Sequence, residues 1–197
     1  MIGKSLLLRA SAACAAVILL ASAVPRAAPL ERYIATAINM GVPGRAGAGQ
    51  IEIAIERWSS DADRDRLRTM LFEKGPDALL DELQKMPRVG TIRNPTSLGY
   101  DLHYARKTDT GDGSARIVLA TDRPMGFWEA VNRPRSVDYP FTVVEIHIGS
   151  DGKGEGKLSL ATKILADRDS KEIVLENFAS QPVMLTDVRR ETSDPAR

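Results

Sequence analysis

Short segments that alternate between apolar and polar side chains, spaced about ten residues apart, fill the second half of the chain. Residues 100–107 and 115–121 alternate on either side of a turn at 109–113, whose glycines accept positive φ. Strands of this length joined by tight turns are typical of an antiparallel barrel or sandwich. Further segments of this kind are residues 89–93, 141–149, 157–165, 171–178 and 182–188.

The first half of the chain changes its hydrophobic period. Residues 51–57 carry isoleucine at every second position, which predicts a half-buried strand. Residues 60–86 instead repeat apolar side chains every three to four positions, with Ser60 as N-cap and Gly75-Pro76 as a break. We therefore predict a helical hairpin. Its apolar stripes are Leu67, Met70 and Leu71, then Leu79, Leu80, Leu83 and Met86.

These patterns predict a mainly β protein of the α+β class. We expect one domain over residues 50–190, an antiparallel barrel or strongly curled sheet of about eight strands. The helical hairpin 60–86 is inserted after the first long strand. The glycine run at 41–49 indicates a flexible segment over residues 24–49, with a candidate short strand at 35–38. The polar residues 191–197 predict a frayed tail.

The N-terminal residues 1–23 have the layout of a secretory signal peptide. Lys4 and Arg9 precede an alanine-rich apolar run that ends in small residues at 21–23, and a later cleavage after residue 28 stays open. We expect export to the periplasm or the cell exterior, with no stable membrane insertion after cleavage. An uncleaved anchor is the alternative. The single cysteine, Cys14, would leave with the leader unless it is lipidated.

The charge balance excludes one class of function. The chain has 27 Lys+Arg and 26 Asp+Glu, and loss of the leader with its two basic residues leaves the acids in excess by one. Nucleic-acid binding by counterion release needs a basic surplus, so we expect no nucleic-acid partner. Aromatic residues are only 5% of the chain, which argues against a base-stacking platform. The oligomeric state is left open.

The two histidines of the chain lie in similar settings. Asp101 and His103 share one strand face, as do Glu145 and His147. Adjacent strands would bring two imidazoles and two carboxylates together, a set that binds zinc or iron. Since the opposite faces are the apolar ones, a solvated polar face is the favoured interpretation. We therefore predict no metal and no cofactor, with these four residues as weak candidates.

A long connection over residues 122–140 is the segment most open to a functional interpretation. Phe127 and Trp128 suit a lid over a barrel mouth, and Arg133 and Arg135 suit a grip on a carboxylate or phosphate. The alternative is a structural plug in which the aromatic side chains only pack. Motifs of serine hydrolases and zinc proteases are absent from the sequence, so a non-enzyme is favoured.

Several stretches resemble a family of uncharacterised secreted bacterial proteins. They are IEIAIERWS at 51–59, RVGTIR at 88–93, LGYDL at 98–102, ATDRPMGFWEA at 120–130 and GEGKLSLATK at 154–163. The resemblance spans about residues 51–188 and implies export and a bacterial source. It implies no activity, so no functional residue is carried over from it.

The leading hypothesis for function is an exported binding module that holds a small apolar or amphipathic ligand inside a β-barrel. An envelope protein with a structural or interaction role and no ligand is the alternative, and a metal-dependent enzyme is the third. Whether the barrel is hollow or filled stays open. The candidate ligand residues are Tyr100, Leu102, Tyr104, Phe127, Trp128, Arg133 and Arg135. The lining would be completed by Ile51, Ile53, Ile55, Leu158, Leu160 and Ile164.

Overall fold

A computed structural model describes residues 29–39, 47–95, 99–123, 140–167, 169–170, 172–177 and 182–191. Within them the chain forms nine strands and two helices. The strands are β1 (Glu31–Asn39), β2 (Gly47–Ile55), β3 (Gly90–Arg93), β4 (Tyr100–Asp109), β5 (Ala115–Thr121), β6 (Phe141–Ile148), β7 (Lys153–Asp167), β8 (Glu172–Asn177) and β9 (Val183–Glu191). The helices, α1 (Asp61–Lys74) and α2 (Pro76–Lys85), lie between β2 and β3.

Eight of the strands close into an antiparallel barrel. The sheet runs in the order β6-β5-β4-β3-β2-β1-β9-β7, and β6 pairs with β7 to complete the ring. β8 pairs only with the last six residues of β7, so this hairpin projects from the barrel. The predicted mainly β fold, with about eight antiparallel strands and a helical hairpin after the first long strand, is confirmed.

The expectation of a flexible segment over residues 24–49 is wrong for the part of it that the structure describes. Residues 31–39 form β1, and β2 begins at Gly47. The two strands pair over their full lengths, with Ala37 opposite Gly49. Backbone hydrogen bonds to β1 hold Gly47 and Gly49 in a strand. This pairing is a tertiary effect, so the strand propensity of the local sequence does not predict it. The predicted leader, 1–23, lies outside the described residues, and so do most of the predicted tail residues.

The helical hairpin follows from local signals that the structure confirms. Ser60 and Asp63 form a reciprocal capping box: Ser60 Oγ accepts from the Asp63 N–H at 3.1 Å, and Asp63 Oδ2 accepts from the Ser60 N–H at 2.9 Å. Gly75 has φ 90°, which ends α1, and its N–H donates to the Leu71 carbonyl. Pro76 then starts α2 at a position where no N–H is needed.

The interior of the barrel is filled by apolar side chains. The predicted isoleucine face of β2 is fully buried there. The largest fully buried side chains of the barrel interior are Tyr33, Ile51, Ile53, Ile55, Ile92, Leu102, Ile117, Leu119, Ile146, Leu158 and Leu185. Leu102 and the isoleucines therefore belong to a packed core, as in other small barrels.

Two β-bulges reverse which residues face inward. On β4 the register shifts between Leu102 and Tyr104, so Leu102 and Ala105 face the core while Tyr104 faces outward. Strict alternation over residues 100–107 predicts that Tyr100, Leu102 and Tyr104 share one face, and this prediction is wrong. A second shift at residues 159–162 of β7 turns Ile164 outward, although Leu158 faces the core. An extra residue in one strand breaks the two-residue period on which facing predictions rest.

The closure of the ring requires glycine at Gly154. A Cβ built there would lie 1.9 Å from the carbonyl oxygen of His147 on β6. We expect Gly154→Ala to lower the free energy of unfolding by about 1–3 kcal/mol, measured by urea denaturation. Gly49→Ala is the matched control, because its Cβ would meet no atom within 4 Å. Equal stability of the two variants would contradict the close approach of β6 and β7.

The turn between β4 and β5 should give a pH-dependent stability. Hydrogen bonds from Ser114 and Thr110 lower the pKa of Asp112 to about 2. A lowered folded-state pKa contributes stability above the unfolded value of about 4, which is lost as the pH falls through the folded value. We expect wild type to exceed Asp112→Asn in unfolding free energy near neutral pH, and the difference to vanish towards about pH 2. Urea titrations across this range check it; a difference independent of pH would refute it.

Candidate functional site

A second hydrophobic cluster lies outside the barrel. It joins the two helices to the outer face of β4, β5 and β6. Its buried members are Leu67, Leu71, Leu79, Leu83, Met86, Ala120, Phe141 and Val143. The outward residues Tyr104, Val118 and Ile164 pack at its margin. The helical hairpin therefore covers one side of the barrel instead of standing free.

This cover is incomplete and leaves a cavity of about 470 Å³. The helices form one wall, the outer face of β4–β6 forms the floor, and the β7–β8 hairpin forms the other wall. The volume lies within the range of about 300–1,000 Å³ that is usual for small-molecule sites. Its apolar lining includes Leu67, Leu71, Leu79, Leu83, Val118, Ala120, Phe141, Val143, Ile164, Ile173 and Leu175.

The floor of the cavity changes from apolar to charged along the strands. One rung across β4, β5 and β6 holds Tyr104, Ala120 and Val143. The next outward rung places Arg106 beside Val118, and the one after it pairs Thr108 with Arg116. Successive rungs on one face are roughly 7 Å apart. The cavity is therefore amphipathic, with Phe141 at its apolar end and the arginines at the other end.

Four arginines line the cavity: Arg64, Arg68, Arg106 and Arg116. Carboxylates outside the lining pair with three of them. Arg106 Nη1 lies 2.7 Å from Asp61 Oδ1, Arg116 Nε 2.6 Å from Glu145 Oε1, and Arg64 Nη2 2.8 Å from Asp65 Oδ1. Arg68 has no hydrogen-bond or ion-pair partner in the part of the chain that the structure describes.

The arginines also influence the titratable groups beside them. The hydrogen bond and the charge of Arg106 lower the pKa of Asp61. Burial raises the pKa of Tyr104, and the positive charges of Arg106 and Arg64 oppose this rise. The Tyr104 phenol is therefore near two guanidinium groups and stays protonated at neutral pH.

The structure separates the residues that the sequence suggested as one ligand site. Tyr104 lines the outer cavity, and Leu102 is buried inside the barrel. Tyr100 packs against the barrel core, with the guanidinium of Arg123 5.2 Å from its ring centre. Phe127, Trp128, Arg133 and Arg135 lie outside the described residues, so the lid and the plug both stay predictions.

The four weak metal candidates are not brought together into one group. His103 lies on β4 and His147 on β6, with β5 between them. His103 Nδ1 is 2.8 Å from the Met86 carbonyl, and its Nε2 is 3.8 Å from Asp122 Oδ1. His147 Nε2 lies 3.2 Å from Glu145 Oε1, and Asp101 Oδ1 lies 3.6 Å from Arg88. Within the described ranges, no three His, Cys, Asp or Glu residues are grouped to hold a metal ion.

Sequence reasoning missed the cavity, although one signal pointed to it. Residues 141–146 of β6 are apolar or threonine except Glu145, so both faces of the strand are suited to burial. In the structure Phe141 and Val143 face the helices while Val144 and Ile146 face the core. A strand that is apolar on both faces indicates a second covering layer. No comparable pattern in the sequence indicates that Arg68 lines the cavity.

Comparison with protein-family models, with curated proteins and with solved structures found no match to this chain. The site is therefore interpreted from its own geometry. Within the described residues, neither helix has the length and apolar character that a membrane span needs.

The two histidines provide a matched test of the packing around the site. His103 links β4 to the end of α2 through the Met86 carbonyl and is mostly buried, while His147 is exposed. We expect His103→Ala to lower the free energy of unfolding by about 1–3 kcal/mol, because that carbonyl loses its partner. His147→Ala should stay within about 0.5 kcal/mol of wild type. Denaturant unfolding gives both values, and a larger loss for His147→Ala would contradict the assignment.

Proposed function

We propose that this protein is an exported binding module for a small apolar or amphipathic ligand. The ligand would lie in the cavity between the helical hairpin and the outer face of the barrel. The observation that carries the proposal is the cavity itself, about 470 Å³ in volume and lined mainly by apolar side chains. Sites for small molecules combine such a lining with a few polar groups. Export rests on the leader-like N-terminus alone.

The exposure of β8 supports this site. Ile173 and Leu175 are 45% and 44% exposed, and both line the cavity. Large apolar side chains left in water cost free energy that a bound apolar ligand would recover by covering them. The cavity therefore has an apolar surface that the described part of the chain leaves partly open.

The barrel supports the proposal as a scaffold. Its packed interior holds the floor strands in fixed positions, so the lining on β4, β5 and β6 is preorganised. The apolar stripe of α2 is buried in the outer cluster, so it offers no separate surface for a protein partner. A ligand-binding role thus has more support from the geometry than the interaction alternative.

A substitution in the floor tests the site. Ala120 lies on the outer face of β5, where tryptophan would fill cavity volume without entering the barrel core. Native mass spectrometry of the full chain with dodecanol or dodecanoate should show a one-to-one complex for wild type. We expect Ala120→Trp to lose this complex because its side chain takes the ligand's place.

Ala54→Trp is the matched control. Ala54 faces outward on β2, on a side of the barrel that does not line the cavity, so the same change should leave the complex intact. Circular dichroism would establish that both variants fold. The proposal fails if neither probe binds wild type, or if the two folded variants bind equally.

A further inference from the structure

We propose that the ligand of this cavity carries an anionic head group, a carboxylate or a phosphate, bound at the arginine end with its apolar chain on the floor. This inference rests on the proposed function and names the class of ligand. The lining contains four arginines, and the three carboxylates paired with them, Asp61, Asp65 and Glu145, lie outside it, which leaves this end with a net positive charge. An apolar cavity with a positive end is complementary to an amphiphile with a negative head.

Arg64, Arg106 and Arg116 lie close together at one end of the cavity. Asp61 Oδ1 lies 2.7 Å from Arg106 Nη1 and 3.4 Å from Arg64 Nη1. This shared carboxylate places the two guanidinium groups beside one another at the start of α1. Arg116 lies on β5, one rung beyond Val118, the neighbour of Arg106. The positive charge is therefore concentrated at one end of the cavity instead of spread around it.

The arginines keep donors for a ligand. A guanidinium has five N–H donors, and the ion pairs described here use only some of them. Arg68 lies one helical turn after Arg64 on the same face of α1 and lines the cavity. It has no partner within the described residues. Arg68 is thus the residue with the most capacity to bind a carboxylate or phosphate oxygen.

The opposite end of the cavity suits the chain of the ligand. Phe141, Val143 and Ala120 form an apolar surface on the floor, and Leu83 faces it from α2. This arrangement fixes the orientation of the ligand. Its head group reaches the arginines only when its apolar chain lies along this surface. An amphiphile with a cationic head would meet four guanidinium groups but only three carboxylates paired with them, so the net positive charge of this end disfavours it.

Four probes with chains of twelve carbon atoms, the carboxylate carbon included, separate the possibilities: dodecanoate, dodecyl phosphate, dodecanol and dodecyltrimethylammonium. Calorimetric titration of the full chain, below the micelle concentration of each ionic probe and below the solubility limit of dodecanol, should give anions that bind at least about tenfold more tightly than dodecanol. Added salt should reduce this preference, because exposed charges are screened. The tighter of the two anions distinguishes a fatty-acid type of ligand from a phosphorylated lipid; either order supports the proposal.

Arg68→Gln should weaken dodecanoate binding several-fold and leave dodecanol binding unchanged. Arg116→Gln is a second variant with the same expected result. Arg189→Gln is the matched control, because Arg189 is an exposed arginine on β9 outside the cavity lining, so it removes the same charge elsewhere. Thermal unfolding of each variant shows that the fold is kept.

The outcomes separate the two proposals. If dodecanol or the ammonium probe binds as tightly as the anions, the anionic head group is refuted and the apolar site remains. The inference also fails if Arg68→Gln and Arg116→Gln both keep the wild-type preference for anions. If none of the four probes binds, the proposed function itself is refuted.

Discussion

The pairing of β6 with β7 turns a curved sheet into a ring, and every other layer of the molecule is built on that ring. The two backbones come so close that Cβ atoms at Gly154 and Gly156 would lie 1.9 Å and 2.5 Å from carbonyl oxygens of β6. Glycine is the residue that permits this approach. Once the ring is closed, no barrel edge is left unpaired, and the inward side chains form a sealed apolar core.

The closed barrel still has apolar residues on its outside, and the helical hairpin packs against them. Phe141 and Val143 face outward because β6 carries apolar side chains on both faces. Bulges in β4 and β7 add Tyr104 and Ile164 to this outer surface. The helices and the β7–β8 hairpin cover it only in part. The uncovered remainder is the proposed binding site, and the arginines of α1, β4 and β5 make one end of it positive.

The local parts of the fold were predictable. The Ser60 capping box, the Gly75-Pro76 break and the alternating isoleucines of β2 each depend on neighbours within a few residues. Of β1, only residues 35–38 were predicted as a candidate strand. The start of β2 was missed because Gly47 and Gly49 are held as a strand by pairing with β1. Tyr104 was placed on the wrong face because a bulge changes the period by one residue. Of the predicted ligand and lining residues that the structure describes, Tyr104 and Ile164 line the cavity, and both do so from outside the barrel.

By itself the sequence determined most of the segments that become strands and helices, and where most of these begin and end. Hydrophobic period, capping residues and turn glycines act over a few positions and can be read along the chain. Only the tertiary structure decided that β5 separates His103 from His147, and that the packed space lies inside the barrel and the open space outside. It also decided that arginines from α1, β4 and β5 share one end of a cavity. These outcomes depend on contacts between residues far apart in the chain, which local periodicity does not specify.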